Sequence, residues 1–416
     1  MSAKKKILIY LLFIFSLLIG YFFNENASGG AKIDHNFLIP FINKFSVNFS
    51  SGFDFYLNNN ASKIHSPVFY LIIASLFKLF QNIYLVNIIY LFISSALPYL
   101  FYLVLKNRIK INTNYIFFIS ILIFISPYFR SSAIWMLGDN LSLIFFCLSI
   151  FFYSRIEDDK NLFSNYILCL FFLICCCYIR YYYSIFYLFY LFYFYKKIST
   201  KQFFYLIIFS FLISMPALYY FYYIFFTHEF IATLNNFGTL NYYSNALQIL
   251  SILLFYLFPF VIFRFYEFMS YYKYNKKIFY IFFSIISSFF LVDYFTHINL
   301  IDVSQFGGGV FKKFAELINI SNSIFLSFIS LLSLLILDFI FKENRLHNYI
   351  LLLILVACLP LATIYQKYLD PLFFLFFFGL VKSDFLSDIL KKESSSILFL
   401  FIYFGSFLIF SINYYL

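Results

Sequence analysis

NENASGGAKIDHNFLIPFINKFSVNFSSGFDFYLNNNASKIHSPVFY, residues 24–70, is the one long polar interval in an otherwise almost continuously apolar chain. It follows Lys4-Lys5-Lys6 and an apolar run from Ile7 to Phe23. That run is longer than the core of a signal peptide and many further apolar runs come after it. It therefore reads as a retained signal-anchor that exports the polar stretch. The stretch carries Gly29-Gly30, the pair Asp34-His35, a second acid Asp54, and His65-Ser66-Pro67. Ionisable groups gathered beside a first membrane span point to chemistry at that place.

The rest of the composition fixes the solvent. With 63% hydrophobic and 11% charged residues in 416, the chain has more apolar surface than a water-soluble core of this size can hide. The expected fold is all-α and polytopic, a single integral membrane domain over 1–416. The 69 Phe and 40 Tyr run through the whole chain alongside abundant Ile, Asn and Lys, the bias of an AT-rich genome. An aromatic stripe here accordingly signals lipid contact or packing before it signals a sugar or cofactor box. The six cysteines lie in apolar runs without metal-ligand spacing and read as small packing residues.

Loop parity sets the topology. It gives about 13 spans: 7–23, 83–105, 113–126, 140–153, a pair within 164–195 turning near Arg180, 202–226, 246–263, 278–292, 321–341, 349–364, 371–381 and 395–413. Residues 24–82 form a large first external loop. Its last part, 67–80, is too short to cross and is expected to be an interfacial or half-inserted helix opened by Pro67. On this topology 20 of the 29 Lys and Arg fall on the inner side and nine on the outer, so the net charge of +11 is the positive-inside bias. No basic face with interleaved aromatics stands apart from it, and a nucleic-acid partner is excluded.

The outer side then collects Asp34, His35, Asp54, His65, Asp139, Arg180, His228, Glu229, Asp293, His297, Asp302, Lys312, Lys313, Lys367 and Asp370. Within the spans the acid to account for is Asp338, toward the inner end of its span, which disfavours an ion or proton relay. No inverted repeat is visible, which argues against a carrier built from two halves. A substrate met at the outer boundary is a lipid-linked one. Transfer of a sugar from a polyprenyl phosphate needs a carboxylate to take the acceptor proton and cations to steady the departing phosphate. Asp34 is the natural base. Arg180, Lys312, Lys313 and Lys367 are natural phosphate partners, and Asp139 faces the same cavity unless it serves as the N-cap of the helix beginning Gly138-Asp139-Asn140. His65 either touches substrate or fixes the turn into the next helix, and Gly307-Gly308-Gly309 defaults to a flexible turn. No spacing assigns a metal, so a divalent ion stays open.

At these residues the sequence resembles the membrane glycosyltransferases of the GT-C type. Asp34 in the first external loop, followed by His65-Ser66-Pro67-Val68-Phe69-Tyr70 ahead of a short apolar helix, is similar to their acid and His-Pro-Pro-Leu-Tyr-like motif. Asp34-His35-Asn36-Phe37-Leu38-Ile39-Pro40 resembles the Asp-Glu…Pro start of the α-1,2-glucosyltransferases that complete lipid-linked oligosaccharides. The segments at Arg180 and Tyr365 to Pro371 resemble Arg-Gln and Arg-Tyr…Pro segments there. In this chain His35 stands for the second acid, Ser66 for the first Pro and Tyr181 for the Gln. The resemblance implies Asp34 as catalytic base and Asp139 as the second acidic position. It also implies an inverting enzyme with a polyprenyl-phosphate sugar donor and a lipid, glycan or protein acceptor. Its expected location is a bacterial cytoplasmic membrane with the site on the outer, periplasmic side. A flippase or transporter of lipid-linked saccharides is the alternative, and a polysaccharide polymerase or ligase a further one.

Overall fold

A computed structural model describes residues 1–59, 66–109, 112–157, 162–227, 242–296, 307–359, 363–385, 388 and 394–415. Among them regular structure is helical throughout, with no strand. The chain forms two compact units, Met1–Ile231 with Phe404–Leu416, and Ala232–Tyr403.

In the first unit the helices are α1 (Ala3–Phe22), α2 (Ala31–Val47), α3 (Phe49–Asn58), α4 (Val68–Phe80), α5 (Ile83–Ser94), α6 (Ala96–Arg108), α7 (Thr113–Ile121), α8 (Pro127–Ile134), α9 (Gly138–Glu157), α10 (Phe163–Ile179), α11 (Phe186–Tyr195) and α12 (Thr200–Thr227). Local chemistry sets several starts. The Asn82 side chain accepts from the amides of Tyr84 and Leu85, and the Ser126 hydroxyl accepts from the Phe129 amide with Pro127 in the first helical position. Pairwise packing of α9 on α10, α6 on α9, and α2 on both α3 and α4 builds this unit. Gly29, at φ 72°, lies against the ring of Tyr415 so closely that a Cβ there would be 2.4 Å from a ring carbon.

The second unit holds α13 (Tyr242–Val261), α14 (Phe265–Tyr274), α15 (Lys276–Thr296), α16 (Gly309–Leu317), α17 (Asn322–Phe341), α18 (Arg345–Ala357) and α19 (Leu372–Gly379). α13 packs on α17 as its main contact. Asp338, the intraspan acid, is buried and fully engaged. It accepts from the hydroxyls of Tyr271 at 2.9 Å and Tyr349 at 2.8 Å and faces Arg345 at 3.4 Å. A final helix, α20 (Ser394–Tyr415), runs from the second unit into the first.

Among the described residues, seven helices are long and apolar enough to cross a membrane: Ala3–Phe22, Ile83–Arg108, Gly138–Glu157, Thr200–Tyr223, Tyr243–Tyr274, Asn322–Phe341 and Ser396–Tyr415. Thr113–Ile125 and Pro127–Ile134 make an eighth if a pair bent by 63° counts as one span. The expected number was about 13. Most of the difference comes from length: α10 has 17 residues, α11 10, α18 13 and α19 8, against roughly 20 for a straight crossing, whereas α15, over the expected span 278–292, has 21. The expected break near Arg180 is present, because α10 stops at Ile179 and Arg180 is extended. The expected short helix after Pro67 is α4, 13 residues long.

One buried ion pair ties α1 to the bent segment. Arg130 Nε donates to Glu25 at 2.6 Å and Nη1 to the Ser16 hydroxyl at 3.0 Å, with both charged side chains about nine-tenths buried. Gly20 leaves the room: a Cβ there would be 2.5 Å from the Glu25 carboxylate and 3.1 Å from the guanidinium. Removing one buried partner strands the other, so Arg130→Met alone should destabilise by about 3–5 kcal/mol, whereas Glu25→Leu with Arg130→Met should recover most of that. Apparent melting temperatures of the detergent-solubilised variants check this order.

Candidate functional site

The site grows from the N-terminal turns of three helices in the first unit. α2 begins after Gly30 with no side-chain cap, and Asp34 sits exposed in its first turn, its amide bonded to the Gly30 carbonyl at 2.9 Å. α4 begins after Pro67 and brings Tyr70 into a cage of rings, with Phe41 at 5.2 Å, Tyr56 at 5.6 Å and Phe69 at 6.3 Å between centroids. α9 begins at Gly138, where a Cβ would press on Ile179 at 3.2 Å and on Phe69 at 3.3 Å. The missing side chain lets the start of α9 nest against the end of α10 and the start of α4.

That nesting explains the ion pair. Asp139 is inside the first turn of α9 and accepts from Arg180 Nε at 2.8 Å and Nη2 at 2.9 Å, a bidentate contact with both side chains about three-quarters buried. The N-cap reading of Asp139 gives way to this pairing, because the helix starts one residue earlier. Tyr70 lies within electrostatic reach of both Arg180 and Asp34. Burial raises its phenol above the ordinary tyrosine range, the Arg180 charge opposes that shift and the Asp34 charge adds to it. Asp34, Tyr70, Arg180 and Asp139 therefore share one electrostatic neighbourhood, next to helix N-termini that favour anions.

The corner between α8 and α9 is held by side chains. Met136 is fully buried with φ 50°, a left-handed conformation costly for a residue with a Cβ. On one side of it the Trp135 carbonyl accepts from His35 Nδ1 at 2.9 Å and the Trp135 indole N–H donates to the Glu25 carbonyl at 2.8 Å. On the other side the Leu137 carbonyl accepts from the Ser132 hydroxyl at 3.0 Å and from the Tyr90 hydroxyl. Since a carbonyl only accepts, Nδ1 of His35 carries the proton. Lys32 lies over the Trp135 ring at 5.5 Å.

In the second unit the glycine run is a built turn and not a loose one. Gly307, Gly308 and Gly309 all have φ between 75° and 82°. The Gly308 amide donates to the Ile364 carbonyl at 2.7 Å, the Val310 amide to the Gln366 side chain at 3.2 Å, and that side chain donates to the Tyr256 hydroxyl at 3.1 Å. Lys312 is buried and paired with Glu316 at 3.6 Å; burial lowers its pKa and Glu316 opposes that. Lys313 is exposed, and the Lys367 ammonium lies over the rings of Tyr365 and Tyr368. The Lys312 and Lys367 segments thus come together within this unit, as Asp34, Asp139 and Arg180 do within the other.

His65, His228, Glu229, His297 and Asp302 lie outside the described residues, as does the Asp293 side chain. Among the described residues no group of three or more His, Cys, Asp or Glu side chains is arranged to hold a metal, and Asp139 spends both oxygens on Arg180. Tyr70, Trp135, Glu25 and Arg130 were missed as members of this region. For Tyr70 the signal was available, since it closes the His65 to Tyr70 motif; for Glu25 and Arg130, 105 residues apart, no local pattern announces the pair. Compared with known protein families, with curated proteins and with solved structures, the chain matches none.

Burial holds the His35 imidazole below its ordinary value of 6.5, with the Trp135 carbonyl opposing the shift. The unfolded chain therefore binds this proton more readily, and the stability gained from neutral His35 is lost as pH falls through about 6.5 and below. The apparent melting temperature should drop more on acidification in the wild type than in His35→Asn, with Lys32 and the Glu25–Arg130 pair unchanged in both.

Proposed function

We propose that the protein is an inverting glycosyltransferase that moves a sugar from a polyprenyl-phosphate donor to an acceptor hydroxyl at the outer membrane face. The GT-C resemblance and the 13-span topology that places the site outside belong to this proposal. The observation that carries it is the clustering of one exposed carboxylate, Asp34, with the Arg180–Asp139 pair around Tyr70, at adjoining helix N-termini. The proposal rests on the first unit alone.

The chemistry distributes as follows. The acceptor oxygen attacks the anomeric carbon while Asp34 takes its proton. The bond from that carbon to the phosphate oxygen breaks, and its electron pair leaves with the lipid phosphate. Arg180 and the amide-rich helix starts stabilise the added negative charge. Asp139 holds the guanidinium edge, so Arg180 is oriented before the donor arrives and less order is lost on binding.

Membrane vesicles supplied with radiolabelled polyprenyl-phosphate sugars and a range of glycan and lipid acceptors test this reading. Asp34→Asn should reduce transfer by about 10²–10⁴-fold, the usual worth of a positioned general base. Arg180→Gln should weaken the quenching of the sole tryptophan, Trp135, by farnesyl phosphate, a short-chain mimic of the leaving group. Equal transfer by wild type and Asp34→Asn removes Asp34 as base, and lipid translocation without transfer favours a flippase instead.

A further inference from the structure

We infer that His35 is a positioning residue: the hydrogen bond from its Nδ1 to the Trp135 carbonyl fixes the first turns of α2, and with them Asp34, relative to the Asp139–Arg180 pair. The inference rests on the reading of Asp34 as the base.

The beginning of α2 is anchored on the corner before Asp139, where Lys32 also lies over the Trp135 ring. Gly30 offers no capping side chain and has no atom near its Cβ position. Lys32, Ile33, Asp34, Asn36 and Phe37 are all exposed, so between residues 31 and 37 only Ala31 and His35 are buried. Both anchor on the same corner: Ala31 packs with Ile134, Trp135 and Leu137, and His35 bonds to the Trp135 carbonyl with its ring 5.8 Å from the indole. From Leu38 onward the helix packs on a different cluster through Phe41, Ile42 and Phe45. Pro40, which has no N–H for the Asn36 carbonyl, stands close to the boundary. The turn carrying Asp34 is thus mechanically distinct from the rest of α2.

The carbonyl that receives His35 is itself immobilised. The Trp135 amide donates to Ser131 at 2.9 Å, its indole holds Glu25, and the left-handed Met136 leads directly into Gly138 and Asp139. The links run from Asp34 through His35 and Trp135 to Asp139 and Arg180 without an exposed loop between them. A displacement of about 1 Å between a base and its reaction partner can cost on the order of 100-fold in rate.

The imidazole has two nitrogens, and the side-chain amides mimic them separately. The Asn nitrogen falls where Nδ1 sits, and the Gln nitrogen reaches the place of Nε2. His35→Asn, His35→Gln and His35→Leu are therefore compared in the full-length, detergent-solubilised protein by amide hydrogen exchange over residues 31–39 and by sugar-transfer kinetics. Asn should keep both protection and rate near wild type. Gln and Leu should lose protection there and lower kcat about tenfold or more, with donor KM changed less than about twofold because Asp139 still holds Arg180. If Gln behaves as wild type while Asn does not, Nε2 is the working atom and the inference fails. It also fails if all three variants match wild type in exchange. Should Leu not fold, the Asn and Gln pair decides alone. A wild type that transfers no sugar defeats the Asp34 reading, and the exchange pattern then still decides what His35 holds.

Discussion

An arginine set where an apolar helix breaks has to be paired, because apolar surroundings penalise an isolated charge and its unsatisfied donors. Arg180 meets that demand with Asp139, and much of the first unit follows from the pairing. For the carboxylate to reach the guanidinium, α9 must begin beside the end of α10, which requires a residue without a side chain at Gly138. For α9 to begin there, the chain must turn sharply after α8, which places Met136 in a left-handed conformation. The turn persists because His35, Tyr90 and Ser132 bond the peptide carbonyls on either side of it and the Glu25 carbonyl holds the Trp135 indole.

The same logic separates two of the ion pairs of the first unit. Glu25–Arg130 is the more enclosed and is braced by Ser16 and Trp135, an arrangement that fixes geometry and offers nothing to a ligand. Asp139–Arg180 is more open and lies near a buried phenol and a second, exposed carboxylate. A pair that is only partly covered can be approached by an anion at smaller desolvation cost while Asp139 still orients the guanidinium.

Much of this was legible in the residues, and the limits have physical causes. Composition announced a helical membrane protein, and apolar runs of 11 to 25 residues announced most of its helices. Arg180 between two such runs announced a break, and Pro67 a short helix. Span counting was weaker, because hydropathy reads α19 and α11 as crossings although they have only 8 and 10 helical residues. Of the site, Asp34 could be placed on one side by parity, but its proximity to Arg180 depends on Tyr70 and on how α2 lies over α4. The packing of α2 on α4 joins helices roughly thirty residues apart and the step on to Arg180 spans 110 residues from Tyr70, which no local period encodes. The role of Asp139 was undecidable locally, since a Gly-Asp-Asn start suits a cap and an ion pair equally.

The way the chain leaves and re-enters its first unit bears on how it is made. Residues 232–403 form the second unit, and Phe404 onward returns to the first, where Tyr415 lies against Gly29. During synthesis from the N-terminus, the first unit must wait for more than a hundred intervening residues before its last helix can dock. Assembly of this protein is therefore not strictly sequential: the neighbourhood of the helix that carries Asp34 is completed by a segment that emerges only after the second unit.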